Sequence, residues 1–321
     1  MAGGQERILR RRIRSIESTK KITRAFELIA QSQIARAQAR IAGTREYSEG
    51  LKRSLAVCAS QVSDLFLYPA PGASAERQAI LVVIAGDRGL CGGYNTLCLR
   101  SAEKRLVQLR QDDFDVKLVT VGKKAESYFR YRHIDVEAAF FKMSNRPTFE
   151  DARAVSHFLN GLINENLDIA LEVIGWRFYS IASQKLASVK LLPLQEATTE
   201  DADDADDTIA AEVANGASYF FEPEPESLLQ ILLPIYLEAD IFRALLEASA
   251  SEHTARQRAM AAATQNAEDL ITVLRRKMNR VRQEAITTEI MEIVGGAEAL
   301  RSLGTAEDRG QPDLEIIRPR G

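Results

Sequence analysis

Two stretches at opposite ends of this chain are too long, and too free of helix breakers, to belong to an ordinary globular domain. Residues 5–60 contain no proline and only two glycines, Gly43 and Gly50. Residues 227–303 contain one proline, Pro234, and no glycine before Gly295. Apolar residues recur at helical steps in both. In the first they are Leu9, Ile13 and Ile16, then Ile22, Phe26 and Ile29, then Ile34, Ala37 and Ile41, with slips of six and five between the groups. In the second, Ala267, Leu270, Leu274, Met278, Val281 and Ala285 step by three or four throughout. Such stripes mark amphipathic helices. About fifty residues of the first and seventy of the second, at 1.5 Å per residue, would be about 75 and about 105 Å long. A lone helix of that length leaves its stripe in water, whereas pairing the two buries both, at roughly 1.5–3 kcal/mol per fully buried Leu or Ile. The expectation is an antiparallel intramolecular coiled coil with a globular domain at one end.

The middle of the chain has a different character. Tyr68-Pro69-Ala70-Pro71-Gly72 reads as a linker. Ala79–Gly86, AILVVIAG, is a continuous apolar run, the signature of a strand buried on both faces. Val116–Gly122 is a second run of this kind, His133–Phe141 a weaker one, and Asp168–Phe178 and Ser188–Leu194 complete the set. Helical segments alternate with them, including Thr148–Asn166 with Thr148 as N-cap and Glu150 and Asp151 in the first turn. Alternation of this sort predicts a Rossmann-like α/β domain with a mostly parallel sheet. The expected organisation is a coiled-coil helix over 1–67, a linker over 68–78 and the α/β domain over 79–198. An acidic loop over 199–226, a second coiled-coil helix over 227–303 and a tail over 304–321 follow.

Charge is unevenly placed. Residues 1–60 hold thirteen basic and five acidic residues, while 196–226 hold eleven acids and no base. Such asymmetry points to charged partners, although the acidic stretch reads more simply as a solvated loop. The formal net charge of −3 argues against a chain that coats nucleic acid along its length. Phe26 and Tyr47 are the only aromatics in the first sixty residues, so the basic helix lacks the interleaved rings of a nucleic-acid platform. The Arg-rich N-terminus resembles a transit peptide, but Glu6 and Glu17 fit the start of a basic helix better. No run reaches the ~18 apolar residues of a membrane span. Three cysteines, Cys58, Cys91 and Cys98, suit neither a disulfide framework nor a zinc ribbon.

Catalytic signals are missing. His133, His157 and His253 have no metal-ligand spacing, with His253 expected in an exposed polar patch, and no GxSxG elbow is present. The turn Gly86–Asn95, GDRGLCGGYN, sits between a strand and a helix, where backbone N–H groups could cradle phosphate. It is neither GxGxxG nor a P-loop, so close packing or a contact surface is the better reading.

Three separated motifs resemble one family. They are Ile16–Ala25, IESTKKITRA, with the small and polar run that follows to Ala39; the Asp87–Asn95 turn; and Arg282–Ala297, RQEAITTEIMEIVGGA. Leu245–His253, LLEASASEH, adds to them. The whole, over about residues 5–303, is similar to the gamma subunit of F-type ATP synthase. That resemblance implies a central-stalk rotor, its helical pair running up the axis of a hexamer of alternating alpha and beta subunits. The α/β domain would sit with epsilon on the membrane ring of c subunits. Proton flow would turn the ring, and gamma would carry torque to the three beta sites. No cofactor, metal or catalytic site of its own is implied, nor a membrane span or nucleic acid, and the location implied is the cytoplasmic face of a bacterial plasma membrane.

Carried over position by position, Lys20, Lys21, Arg24 and Cys91 match the contact with a moving acidic beta loop. Arg282, Gln283, Thr287 and Glu289 match an upper beta contact. The small residues Ala261, Ala262 and Ala263 suit a surface that must turn without locking. Departures from the family are Phe26 for a common Met, Glu284 for a small residue, the acidic Glu200–Asp207 loop and the tail from Thr305. A paired-cysteine regulatory insert is missing. Two rivals remain: a basic coiled-coil nucleic-acid-binding protein, and a nucleotide-using α/β enzyme built on the Gly86–Asn95 turn.

Overall fold

A computed structural model describes residues 2–59, 77–165, 169–192 and 221–307. The elements run α1 (Ala2–Ala59), β1 (Arg77–Ile84), α2 (Tyr94–Gln111), β2 (Phe114–Val121), α3 (Lys123–Tyr131) and β3 (Ala138–Phe140), then α4 (Phe149–Glu165), β4 (Ile169–Phe178), β5 (Gln184–Leu192) and α5 (Pro225–Glu307). The expected linker before residue 77, most of the acidic stretch and the tail beyond 307 lie outside the described residues. The chain divides into two compact units: Met1–Thr23 with Ala262–Gly321, and Arg24–Ala261.

The first unit is a two-helix pair. Ile13, Ile271 and Leu274 are buried together, with Leu9, Ile16 and Met278 packed against them. Polar partners continue the seam. Arg275 reaches Glu17 at 2.7 Å, Lys20 reaches Glu268 at 2.6 Å, and the hydroxyls of Thr23 and Thr264 lie 2.8 Å apart. Rising numbers on α1 meet falling numbers on α5, so the helices are antiparallel, as their stripes require.

The stripes themselves need correcting. On α5 the buried residue is Ile271, not Leu270, which is exposed. On α1, Ile22, Phe26 and Ile29 face outward while Thr23, Glu27 and Ala30 are buried. The side turned inward is Ile13, Ile16, Lys20, Thr23, Glu27, Ala30, Ile34 and Ala37, whose steps alternate three and four. That is an unbroken heptad seam. The slips of six and five came from following the apolar residues outside it, because the seam itself carries polar and small side chains in its middle.

The second unit is a three-layer α/β body. Its sheet has the order β3-β2-β1-β4-β5, with the first four strands parallel and β5 antiparallel to β4. Central β1 is buried on both faces, and its residues alternate between two cores. Ile80, Val82 and Ile84 join Val155 and Leu159 of α4, Leu55 and Cys58 of α1, and Leu237, Ile241 and Leu245 of α5. Leu81 and Val83 join Cys98, Ala102 and Leu106 of α2 and Phe129 of α3. Period-two alternation divides one strand between two helical layers. The first half of α5 and the end of α1 are therefore part of this body's core.

Local signals account for several boundaries. Thr148 caps α4 as expected: its hydroxyl accepts the Asp151 N–H at 3.2 Å, and the Asp151 carboxylate accepts the Thr148 N–H at 2.7 Å. Gly122 follows β2 with φ +100, and a Cβ there would stand 2.1 Å from the Ala85 carbonyl oxygen. Only glycine permits that crossing of two strand ends. β5 begins earlier than expected, because its inward and outward residues alternate instead of forming an apolar run.

Candidate functional site

Each expected contact residue has a definite setting. In the two-helix unit Lys20 is half-buried in its ion pair with Glu268, and Lys21 is exposed. Arg282, Gln283, Thr287 and Glu289 all lie exposed on α5. Arg282 stands fourteen residues beyond Glu268, about 21 Å along the helix, so Lys20 and the upper group are separate sites. Thr287 donates its hydroxyl to the Gln283 carbonyl at 2.9 Å, while Glu284 pairs with Arg280 at 2.8 Å. The last described turns also carry Ile286, Ile290, Met291, Ile293, Val294 and Leu300 in the open, with Ile293 72% exposed. Contiguous exposed apolar side chains mark a surface that a partner covers.

In the α/β body Arg24 is exposed and pairs along its own helix with Glu27 at 2.8 Å. Cys91 lies in the Gly86–Asn95 turn with only 2% of its surface exposed. Its sulfur accepts the Asn95 side-chain N–H at 3.1 Å, and burial pushes its thiol pKa up. A thiol so placed is protonated and covered. Exposed Gly89, Leu90 and Gly92 form the outer surface of the turn.

The turn is held by hydrogen bonds rather than open to a ligand along its whole length. Gly86 donates its N–H to Asn95 Oδ1 at 2.8 Å, and the Asp87 carboxylate accepts the N–H groups of Lys123 at 3.0 Å and Ser144 at 3.2 Å. One asparagine and one aspartate thus join three loops at the carboxyl ends of the parallel strands.

His253 corrects another expectation. It is buried, not part of an exposed patch, and its Nε2 lies 3.1 Å from the Asn145 carbonyl. Burial holds its pKa below the usual imidazole value, and Arg256 acts in the same direction. Beside it Glu252 is buried and paired with Arg256. Burial raises the Glu252 pKa, against the opposing pull of that guanidinium. The Glu252 side chain packs on Gly86, 3.0 Å from where a Cβ would be. Sequence patterning missed this network, because a charged run on a long helix ordinarily faces water. The polar and small LLEASASEH run, too poor in exposed-face spacing to be one solvated side, was the available signal.

Among the described residues no group of three His, Cys, Asp or Glu side chains could hold a metal, and no helix is long and apolar enough to cross a membrane.

Comparison with known proteins agrees with this geometry. A family model described as ATP synthase matches residues 5–300. The ATP synthase gamma chain of Frankia casuarinae is 41% identical over 313 residues, covering 93% of this chain and 99% of that one. The gamma chain of Mycolicibacterium gilvum is 40% identical over 311 residues, covering 92% and 97%. A chain from the Euglena gracilis mitochondrial ATP synthase (OSCP/F1/c-ring, rotational state 3) shares the fold with a TM-score of 0.61 at 17% identity, over 98% of this chain and 100% of that one. One from the Tetrahymena thermophila central stalk and c-ring has a TM-score of 0.54 at 22% identity, over 75% and 99%. These relatives give the nucleic-acid reading no support. With the antiparallel helix pair, the inserted α/β body and this likeness over nearly its whole length, the chain belongs to the ATP synthase gamma chain family.

Proposed function

We propose that this chain is the central-stalk rotor of a proton-driven ATP synthase, passing torque between a membrane ring of c subunits and a catalytic hexamer of alpha and beta subunits. The observation that carries the reading is the likeness to gamma chains along almost the full length of both partners, joined to a long antiparallel helix pair. Two packed helices resist twist better than one, because bending or winding either disturbs the seam of both. The exposed apolar turns from Ile286 to Leu300 suit enclosure within a sleeve. On this reading the chain contributes no catalytic group, and nucleotide chemistry belongs to the beta subunits. The complex sits on the cytoplasmic face of a bacterial plasma membrane, with epsilon beside the α/β body.

The contact residues follow in part from their exposure. Lys21 presents an exposed ammonium group toward an acidic beta loop, while Lys20 shares its charge with Glu268 and the exposed Arg24 shares its charge with Glu27. Exposed ion pairs are worth about 0–1 kcal/mol each, enough to guide a moving contact without freezing it. At the body the contact is made by the Gly89–Gly92 surface rather than by the buried Cys91 sulfur. Arg282, Gln283, Thr287 and Glu289 form the upper contact.

Co-expression with alpha and beta subunits tests the proposal. One copy of this chain per hexamer, and ATP hydrolysis that collapses when the chain is omitted, is the expected result. A hexamer that turns over equally well without it overturns the rotor reading. Binding of the isolated chain to nucleic acid, with affinity falling steeply with salt, would favour the rival.

A further inference from the structure

The α/β body contains a cleft beside the Gly89–Gly92 surface. Its volume is about 520 Å³, and it is lined by the Cys91–Tyr94 turn, Leu97, Trp176, Gln184, and Ser251, Ala255, Arg258 and Ala259 of α5. That volume falls within the usual range for small-molecule sites, about 300–1,000 Å³. Its place in the fold is specific. β2 and β3 lie to one side of β1, while β4 and β5 lie to the other. The cleft sits where the chain leaves β1 for α2 and leaves β4 for β5, at the carboxyl ends of the two strands flanking the reversal. Open α/β sheets bind ligands at this topological switch point.

Three features give the cleft a chemical preference. The first turn of the 18-residue α2 lines it, with Gly93 as N-cap, no side-chain cap and no acidic residue. The Tyr94 N–H is taken by the Cys91 carbonyl at 3.2 Å, but the positive end of the helix dipole favours an anion there. Arg258 stands at the rim, held by the backbone carbonyls of Ile181 and Ala182, and adds a permanent positive charge. The third feature is independent of the helix end. Ser251 is only 2% exposed, yet its hydroxyl has no hydrogen-bond partner among the described residues, and the side chain lines the cleft. A buried hydroxyl without a partner costs about 1–3 kcal/mol, so it persists where something else satisfies it. On the remaining wall Trp176 stacks on Tyr94 with ring centroids 5.7 Å apart, and its indole N–H donates to the Tyr94 carbonyl at 3.1 Å. The indole is thus fixed as a flat apolar surface.

We infer that this cleft binds a small phosphate-bearing molecule of nucleotide size. The phosphate sits between the α2 N-terminus, Ser251 and Arg258, and the organic body lies toward Trp176. No bond is made or broken; the site is a binding site that borders the Gly89–Gly92 contact surface at Gly92 and does not rest on the rotor reading.

Trp176 is the only tryptophan in the chain, so its emission reports the cleft directly. Purified full chain is titrated with ADP, pyrophosphate and inorganic phosphate, following Trp176 fluorescence and confirming by calorimetry. The expected result is saturable binding of ADP or pyrophosphate at millimolar concentration or tighter. Ser251→Ala and Arg258→Gln each weaken it about tenfold, and Ala255→Trp abolishes it. Ser251→Ala removes a hydroxyl with no protein partner, so its unliganded thermal midpoint stays level or rises, and its loss of affinity cannot be put down to misfolding. No saturable binding of any of the three up to about 10 mM, a free energy weaker than about −2.7 kcal/mol, overturns the inference. Binding that both Ser251→Ala and Ala255→Trp leave unchanged overturns it equally, since the ligand then lies elsewhere.

Discussion

The two-helix unit and the α/β body are held together in different ways. The body packs a central sheet on both faces, and Ile80, Leu81, Val82, Val83 and Leu118 are almost completely removed from water. The helix pair buries Ile13, Ile271 and Leu274 as a small apolar cluster flanked by Leu9, Ile16 and Met278, and its described seam also carries Lys20–Glu268, Glu17–Arg275 and Thr23–Thr264. A sheet between two helical layers gives each core residue neighbours on all sides. A two-helix seam gives each residue neighbours on one side only, so its apolar burial is thin and polar pairs set its register. Thickness of core thus goes with the body, and length with the pair.

The sharpest way to break this contrast is at a place where the body has no slack. Gly122→Ala puts a Cβ against the Ala85 carbonyl at a backbone angle that alanine rarely adopts. The expected cost exceeds about 3 kcal/mol, read as loss of soluble, cooperatively unfolding protein. A variant that keeps the parent midpoint would refute the tight crossing. Next in size is Leu274→Ala in the pair, expected to cost about 2–3 kcal/mol, toward the low end for core truncations because the cluster is small. Hydrogen exchange should lose protection over residues 9–20 and 267–281 while β1 and β2 keep theirs. Equal loss in both regions would mean that the two unfold as one unit.

Smaller effects sharpen the picture of the polar seam. Thr23→Val leaves the Thr264 hydroxyl without that partner and should cost about 1 kcal/mol, whereas Thr23→Val with Thr264→Val should be nearly neutral. Additive losses in that double-mutant cycle would show that the hydroxyls do not interact. Lys20→Ala is expected to change stability by less than about 1 kcal/mol, and less again in high salt. A larger, salt-insensitive loss would make that pair a structural element rather than a guide.

How far the sequence could be read follows the same contrast. AILVVIAG announced a doubly buried strand because apolar runs of β-branched residues have few other uses, and Thr148 with Asp151 announced the start of α4. The weak strand over His133–Phe141 shrinks to Ala138–Phe140, since Ile134 is still tied back to α3, its N–H donating to the Phe129 carbonyl at 3.0 Å, and Glu137 meets β2 by its N–H to the Leu118 carbonyl at 2.8 Å. On α1 the apolar residues Ile22, Phe26 and Ile29 drew the stripe to the wrong side, because periodicity counts hydrophobic residues and is blind to a threonine whose partner is 241 residues away. Of the expected contact residues, Lys21, Arg24, Arg282, Gln283, Thr287 and Glu289 are exposed, and the burial of Cys91 could not be read from its turn. Buried Glu252, His253 and Ser251 were equally hidden. Their environment is made by loops from distant strands that no local pattern records.

The central claim is that torque passes through this chain, and rotation tests it most directly. Tyr131, 82% exposed at the end of α3, offers a site on the body for a probe through Tyr131→Cys, since the three native cysteines are buried. With the alpha–beta hexamer immobilised and ATP supplied, the probe should turn steadily in one direction and stop when ATP is exhausted. Hydrolysis that continues while the probe stays still would contradict the account.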